Sequence, residues 1–440
     1  MKYRRRAAPI HRAENGDGHL LVRPQRAVLV GAVFPAGDRD QISMHLDELE
    51  RLTQSAGATV VGRTVQDRKK VDPAYFIGKG KAEEVAGVVR ECQADVVIFD
   101  DDLSPAQNRN LSEVLGVQVV DRSGLILDIF ARRARSREAK TQVELARLNY
   151  LLPRLRGGWT HLSRQEGGIG VRGGIGETQI ELDRRAIRLR IHRLEEQLER
   201  IESARRRRRG GRKGAVKIAL VGYTNAGKTT VFNALTRNQT VVEDRLFTTL
   251  DPVVRRVRLR MGRDILLTDT VGFIRKLPHH LVASFRSTLE EATDADLLLH
   301  VVDVSHPEYE EQMRITEQVL ATLELGDRPT ILVLNKTDRA ESLAWTDRAA
   351  RLHPEAVLAA AGMGKGLELI LGRIEELMQK DTIEDDVRLR SSDREGISRV
   401  YALSEVIKAL YHDGVVDITF RTSRARARAL LASVTACEAG

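Results

Sequence analysis

"VKIALVGYTNAGKTTVFNALT", residues 216–236, passes from an apolar run through G-x-x-x-x-G-K-T at Gly222 to Thr229 into a segment of helical pattern. That order predicts a strand, a tight loop and a helix. A helix opening straight out of a glycine-bearing loop leaves its first N–H groups without intrahelical acceptors, so they can face an anion. The stretch is thus expected to cradle phosphates with the backbone N–H groups from Asn225 through Ala226, Gly227 and Lys228 to Thr229. Gly222, Tyr223, Thr224 and Thr230 line the same loop. The Lys228 ammonium is placed to neutralise the outer phosphates and to act in catalysis, and the Thr229 hydroxyl to complete a Mg²⁺ site.

The base is read further along. "ILVLNKTD" ends a predicted strand with Asn335, Lys336, Thr337 and Asp338. The Asp338 carboxylate can accept from both the ring N–H and the amino group of guanine, donors that adenine lacks. A site built on that carboxylate should take GTP and reject ATP by a large factor, because ATP would leave a polar group without its partner. Between the two motifs, "LLTDTVGF" ends a strand at Asp269, a further Mg²⁺ ligand, and continues through Thr270 and Val271 to Gly272, whose N–H is expected to meet the γ-phosphate. "RLFTTLDPV" contributes Phe247, Thr248, Thr249, Leu250 and Asp251. Of its two threonines, Thr249 is the expected metal ligand and catalytic group rather than Thr248. These two segments read as loops that order around the γ-phosphate and relax on hydrolysis.

The rest of the chain bounds the reading. At 440 residues it exceeds one ordinary core. Its two cysteines, Cys92 and Cys437, stand at no motif spacing, against a disulfide framework or a cysteine zinc site. No apolar run approaches the roughly 20 residues of a membrane span. The net charge of +9 is uneven: Ala139 to Gly214 holds 19 Lys+Arg against 9 Asp+Glu. A polyanion would meet the middle of the chain.

Residues 1–26 read as a disordered basic tail. From Ala27 to about residue 137, apolar runs such as "AVLVGAV", "ATVVGRTV", "DVVIFD" and "VQVVD" alternate with helical patterns, which predicts a small parallel α/β domain. Residues 138–214 read as two amphipathic helices in an antiparallel hairpin, the second seamed by Ile180, Ile187, Ile191, Leu194, Leu198 and Ile201 and followed by the arginine-rich linker "ARRRRRGGRKG". "GGWTHLSRQEGGIGVRGGIGE", Gly157 to Glu177, lies between those helices and contains G-x-G-x-x-G. A dinucleotide fingerprint needs a strand before its first glycine, and "THLSRQEG" is no strand. The glycines instead suit a tip loop that lets backbone approach a partner, with Trp159, His161, Arg164 and Arg172 offering stacking and phosphate contacts. Residues 215–380 are the expected nucleotide-binding domain. Residues 381–440 read as a small α+β domain: a strand in "DVRLR", a helix in "SRVYALSEVIKALYHDG" and a strand in "VVDITFRTS".

The set "GYTNAGKTT", "FTTLDP", "DTVGF" and "NKTD", preceded by "YFIGKGKAEE", "DDLSPAQNRNL", "DRSGLILDIFARRA" and "HLSRQEGGIGVRGGIGETQIELDRR", closely resembles the HflX family of GTPases from Ala27 to about Lys380. The resemblance implies an N-terminal α/β domain with a helical hairpin, a Ras-like G domain, and hydrolysis of GTP to GDP. It implies action in the cytoplasm, with room for some peripheral membrane association, on the large ribosomal subunit and its RNA, including the splitting of stalled ribosomes, by a monomer. Two departures stand out. Phe273 follows the glycine of D-x-x-G, as in relatives, so no side chain there can orient the attacking water and intrinsic hydrolysis should be slow, with ribosomes stimulating it. The guanine-contacting "SA" is "AA" at Ala360 and Ala361, which keeps a backbone N–H and drops a hydroxyl. Two other readings remain at this point: a GTPase switch for a protein or membrane target, and an NTP-driven RNA-remodelling enzyme with a second nucleotide site at "GKGK".

Overall fold

The computed structural model describes residues 24–34, 39–155, 179–209, 216–237, 246–247, 249–260, 262–276, 292–339, 342–380, 382–412, 414–423, 427 and 430–431. The glycine-rich tip loop, Thr248, the chain before Pro24 and the linker at 210–215 lie outside them. Two compact units divide the chain: Met1–Leu198 with Glu243–Leu250 and Lys276–Arg286, and Glu199–Val242 with Asp251–Arg275 and Ser287–Gly440.

In the first unit β1 (Arg26–Val33), β2 (Thr59–Asp67), β3 (Val96–Phe99) and β4 (Gln118–Asp121) form a parallel sheet in the order β2-β1-β3-β4. Helices α1 (Arg39–Ser55), α2 (Lys79–Glu91), α3 (Pro105–Leu115) and α4 (Arg122–Arg133) alternate with the strands. The strand β1 is buried from Ala27 to Val33, as a parallel strand covered on both faces must be. Val28 and Val30 pack with Val85 and Val89 of α2 and Leu111 of α3. Gly31 faces the other way, where an added Cβ would sit 3.2 Å from Ile42 of α1.

Local signals set the helix ends. Ser104 accepts from Gln107 N and Gln107 Oε1 accepts from Ser104 N, a reciprocal cap ahead of Pro105, while Gly116 ends α3 in the left-handed region. Asp121 ties the domain to the helical hairpin. Its Oδ1 accepts from Gly124 N at 2.8 Å and from the Tyr150 hydroxyl at 2.7 Å, and its Oδ2 from Leu103 N at 3.2 Å and the Arg154 guanidinium at 2.8 Å. Burial and the neighbouring carboxylate raise the Tyr150 pKa, so its hydroxyl stays a donor. Beside it Arg122, 1% exposed, bridges Asp100 and Glu48.

The hairpin pairs α5 (Arg137–Leu151) with α6 (Gln179–Arg209), the first ending in a 3-10 turn at Leu152–Arg154 that carries Pro153. Arg184 donates to Leu155 O, Arg190 meets Glu144, and Gln197 donates to the Thr141 hydroxyl. As α6 advances the α5 partner recedes, so the helices are antiparallel. The seam is partial, with Ile187 and Leu194 buried and Ile191, Leu198 and Ile201 only half-buried.

In the second unit β5 (Val216–Val221), β6 (Val253–Arg258), β7 (Asp264–Asp269), β8 (Leu297–Asp303), β9 (Thr330–Asn335) and β10 (Val357–Leu358) form a sheet in the order β10-β9-β8-β5-β7-β6. All pairings are parallel except β6 with β7. One face packs with α7 (Lys228–Thr236) and α10 (Leu367–Lys380), through Leu299 and Val301 against Val231, Phe232 and Ile370. The other packs Val302 and Leu334 against Tyr309 and Met313 of α8 (Tyr309–Thr322) and Ala349 of α9 (Ser342–Leu352). Each fully buried aliphatic side chain contributes roughly 1.5–3 kcal/mol.

The C-terminal segment corrects one expectation. Helix α11 (Arg394–Leu403) stops at Ser404, and Glu405–His412 is β12, not more helix. It pairs antiparallel with β13 (Val415–Ser423), which also pairs β11 (Thr382–Arg390). The cause is tertiary: a register shift between Val406 and Lys408 brings Val406 and Ala409, three residues apart, to the same core of Val416, Ile418 and Phe420.

Asp121→Ala removes an acceptor with four donors, leaving the Tyr150 hydroxyl without that acceptor and Arg154 without its carboxylate, held only by the Tyr150 and Leu103 carbonyls, so we expect it to destabilise the first unit by about 3–5 kcal/mol in urea denaturation, with faster amide exchange in α4. A loss below about 1 kcal/mol would show that these donors find other partners.

Candidate functional site

The phosphate-type loop joins β5 to α7 at the C-terminal end of the sheet, where ligands of such folds lie. Gly227 caps α7 with φ +93°, and an added Cβ would stand 2.3 Å from Asn335 Nδ2. Only glycine admits both the backbone and its neighbour. Asn335 uses that closeness: its Nδ2 donates to Ala226 O at 3.0 Å and its Oδ1 accepts from Ala361 N at 3.2 Å. Lys336, at φ +64°, reaches back with its ammonium to Asn225 O at 2.8 Å and Asp303 Oδ2 at 2.6 Å. Thr337 N and Oγ1 both donate to Ala359 O, leaving Asp338 exposed at the end of the turn.

Within the loop Lys228 is 6% exposed and donates to Gly222 O at 3.1 Å and Tyr223 O at 2.7 Å. Burial pushes its pKa down to about 8, with Lys336 adding to the drop and Asp269 opposing it. Thr229 Oγ1 donates to Asp269 Oδ2 at 2.7 Å. Asp269 is 1% exposed at the end of β7. This carboxylate and hydroxyl are hard oxygen donors, which suit Mg²⁺ rather than a soft metal. Among the described residues no cluster of three or more His, Cys, Asp or Glu could hold a metal ion instead.

The Asp269–Gly272 turn lies along the loop. Thr270 is fully buried and donates to Leu220 O, Val271 is buried, and Phe273 N donates to Gly222 O while Phe273 O accepts from Thr224 N. Thr224 and Ala226 are buried, and Asn225 and Thr230 half-buried. Ala360 exchanges backbone hydrogen bonds with Lys365, so the N–H groups of Ala360 and Ala361, one of them expected to serve the base, both have protein acceptors. Asp251 is half-buried in this unit. Phe247, Thr249 and Leu250 belong to the first unit, where Phe247 (φ +58°) stacks edge-on against Phe130 with centroids 4.7 Å apart, and Leu246 N donates to the Ser55 hydroxyl. Thr249 is half-buried there and Leu250 buried.

Sequence reading missed Asp303, which steadies Lys336; its only signal is a carboxylate ending a fully buried strand. It also missed His300 on that strand, 3% exposed and held neutral by a pKa pushed down to about 4 through burial and then through Lys228. The side-chain role of Tyr223 left no signal.

A parallel sheet with one antiparallel edge, a phosphate loop after β5 and N-K-T-D after β9 make this a P-loop GTPase fold. Three family models match the chain: "GTP-binding GTPase N-terminal" over residues 43–131, "GTP-binding GTPase Middle Region" over 133–212 and "50S ribosome-binding GTPase" over 217–336. The protein named GTPase HflX from Magnetococcus marinus is 46% identical over 88% of this chain and 89% of its own length. That of Escherichia coli is 43% identical over 90% and 93%. A solved structure titled "crystal structure of SsGBP and GDP complex" is 26% identical, covering 81% of this chain and 99% of that one at a TM-score of 0.45. The chain belongs to the HflX family of GTPases.

Lys228 gives a pH signature. Its folded-state pKa near 8 means that the free site is losing its ammonium above that pH, while a bound polyphosphate would hold the charge on. Guanine nucleotide affinity should be level below pH 7 and fall as pH rises through 8, approaching about tenfold per pH unit. Lys228→Met should bind weakly and without that slope, as titration calorimetry between pH 6 and 9 would read; equal slopes would place the titrating group elsewhere.

Proposed function

We propose that the protein is a Mg²⁺-dependent GTPase that hydrolyses GTP to GDP and phosphate, binds the large ribosomal subunit through its RNA, and splits or rescues stalled ribosomes. The observation that carries the nucleotide half is the Asn335 carboxamide, which locks the base-reading loop to the phosphate loop. Lys228 would meet the outer phosphates, Asp338 the guanine edge, and Gly272 N–H the γ-phosphate. Thr229 and Asp269 would hold Mg²⁺, which when bound neutralises charge on the β- and γ-phosphate oxygens. Phe273, 2% exposed, offers the attacking water no hydrogen bond, so a slow intrinsic rate waiting on a partner follows.

For the ribosomal half, the supporting observations are the description of the third family model and a cleft of about 430 Å³ in the hairpin. Arg135 ahead of α5, Arg137 and Lys140 from its first turn and Arg190 from α6 line it, against one carboxylate, Glu144. Cations at a helix N-terminus oppose the helix dipole, and a phosphodiester backbone would relieve that conflict.

Asp338→Asn should weaken GTP binding severely, since an amide cannot accept from both guanine donors, and xanthosine triphosphate should recover it. Unchanged GTP affinity would end the base-reading assignment.

Arg137→Glu with Lys140→Glu should leave GTP affinity intact while lowering co-sedimentation with large subunits, with the log-log salt slope flatter by about 2 units. Wild-type protein that fails to sediment with large subunits in any nucleotide state would sink the ribosomal half itself.

A further inference from the structure

Gly272 is wedged against the phosphate loop: an added Cβ would stand 2.6 Å from Thr224 Cα and 2.9 Å from Lys228 Nζ. If the Gly272 N–H and the Lys228 ammonium are to touch the same γ-phosphate, a group larger than a methyl must come between them. The Lys228 side chain can swing, but the Thr224 backbone cannot, so withdrawal of Gly272 is the movement that would open that space. What holds it in place is a ladder onto β5 and the loop: Thr270 Oγ1 to Leu220 O, Phe273 N to Gly222 O at 3.1 Å, Thr224 N to Phe273 O at 2.7 Å, and Arg275 N to Tyr223 Oη at 2.9 Å.

Three of these rungs are made wholly by backbone or at the fixed strand end. The fourth is a side chain reaching from within the phosphate loop to the far end of the moving turn. Tyr223 is 4% exposed, and the Arg275 residue it grips is fixed again through its guanidinium, 3.1 Å from Glu308 ahead of α8, with both side chains 10% exposed. We infer that Tyr223 is a positioning residue whose hydroxyl latches the Asp269–Arg275 turn in the γ-phosphate-excluding arrangement and so sets the preference between GDP and GTP. The inference rests on the phosphate loop being the guanine nucleotide site.

The latch fits the chemistry at both ends. A phenol oxygen accepting from a buried backbone N–H satisfies a group that would otherwise be costly to leave unpaired. Breaking it is the step that γ-phosphate entry must drive, and Tyr223→Phe breaks it beforehand while keeping the ring in its packing.

The test is a pair of dissociation constants, for GDP and for a non-hydrolysable GTP analogue, measured on wild type and Tyr223→Phe. The ratio should move toward the analogue by about threefold to tenfold, the range that one neutral hydrogen bond supplies. A merely structural tyrosine would weaken both nucleotides alike and leave the ratio where it was; that result overturns the latch. Wild-type protein that binds neither nucleotide would instead overturn the site itself. A second measurement needs no variant: the Arg275 amide of the wild type should exchange with solvent more slowly with GDP than with the analogue. Equal protection in the two states also overturns the latch.

Discussion

The side-chain amide of Asn335 makes three loops into one site. It is 2% exposed, and each end of its carboxamide meets a different segment: the phosphate loop at Ala226 and the loop after β10 at Ala361. A buried amide with both ends satisfied is stable only while all its partners stay in register, and removing one partner strands a polar group away from water. Asn335 therefore ties the loop after β5 to the N-K-T-D turn, and Lys336 adds a second tie through Asn225 O. Gly227 admits Asn335, having no Cβ to strike Nδ2. The six-stranded sheet supplies the rest of the constraint, because β5 and β9 flank β8 and present both loops at the same strand ends.

Charge in this region is balanced within a small space. Lys336 rests on the Asp303 carboxylate and the Asn225 carbonyl, and Lys228 on two carbonyls of its own loop, with Asp269 nearby. Lys228 is thus held mainly by neutral dipoles, which is why burial can depress its pKa. An anion placed at the mouth of α7 would gain from an ammonium that the protein itself has not fully compensated. The Phe273 ring closes the same region without offering a hydrogen bond.

The first unit follows a similar logic with different chemistry. Its strand order reverses beside β1 and β3, and at those strand ends lie Asp100 and, one strand over, Asp121. Both carboxylates are buried and both are matched by arginine: Asp100 by Arg122, Asp121 by Arg154. The Arg154 guanidinium also stacks 3.7 Å over the Tyr150 ring, so the acid, the phenol and the cation set where α5 leaves the domain. Lys276, which falls within this unit, reaches Asp100 Oδ2 at 2.7 Å.

Short spacing made much of this protein legible in its amino-acid order. G-x-x-x-x-G-K-T between an apolar run and a helix, N-K-T-D after another strand, and the 3.6-residue repeat of the hairpin helices all state local geometry, because steric and hydrogen-bonding rules within a few residues enforce them. The reciprocal cap of Ser104 and Gln107 is of that kind. What lay beyond reach involves partners far apart in the chain: Asn335 with Ala226 across 109 residues, Lys336 with Asn225 across 111, and Tyr223 with Arg275 across 52. No periodicity reports such a pair, since the order of strands in the sheet decides which loops become neighbours. Glu405–His412 shows the same limit, for its apolar residues suit a helix until pairing with β13, with its register shift after Val406, turns Val406 and Ala409 to the same core. Sequence alone determined which chemical groups the loops carry; tertiary structure decided which of them touch, because burial and strand pairing act between segments that the chain itself keeps apart.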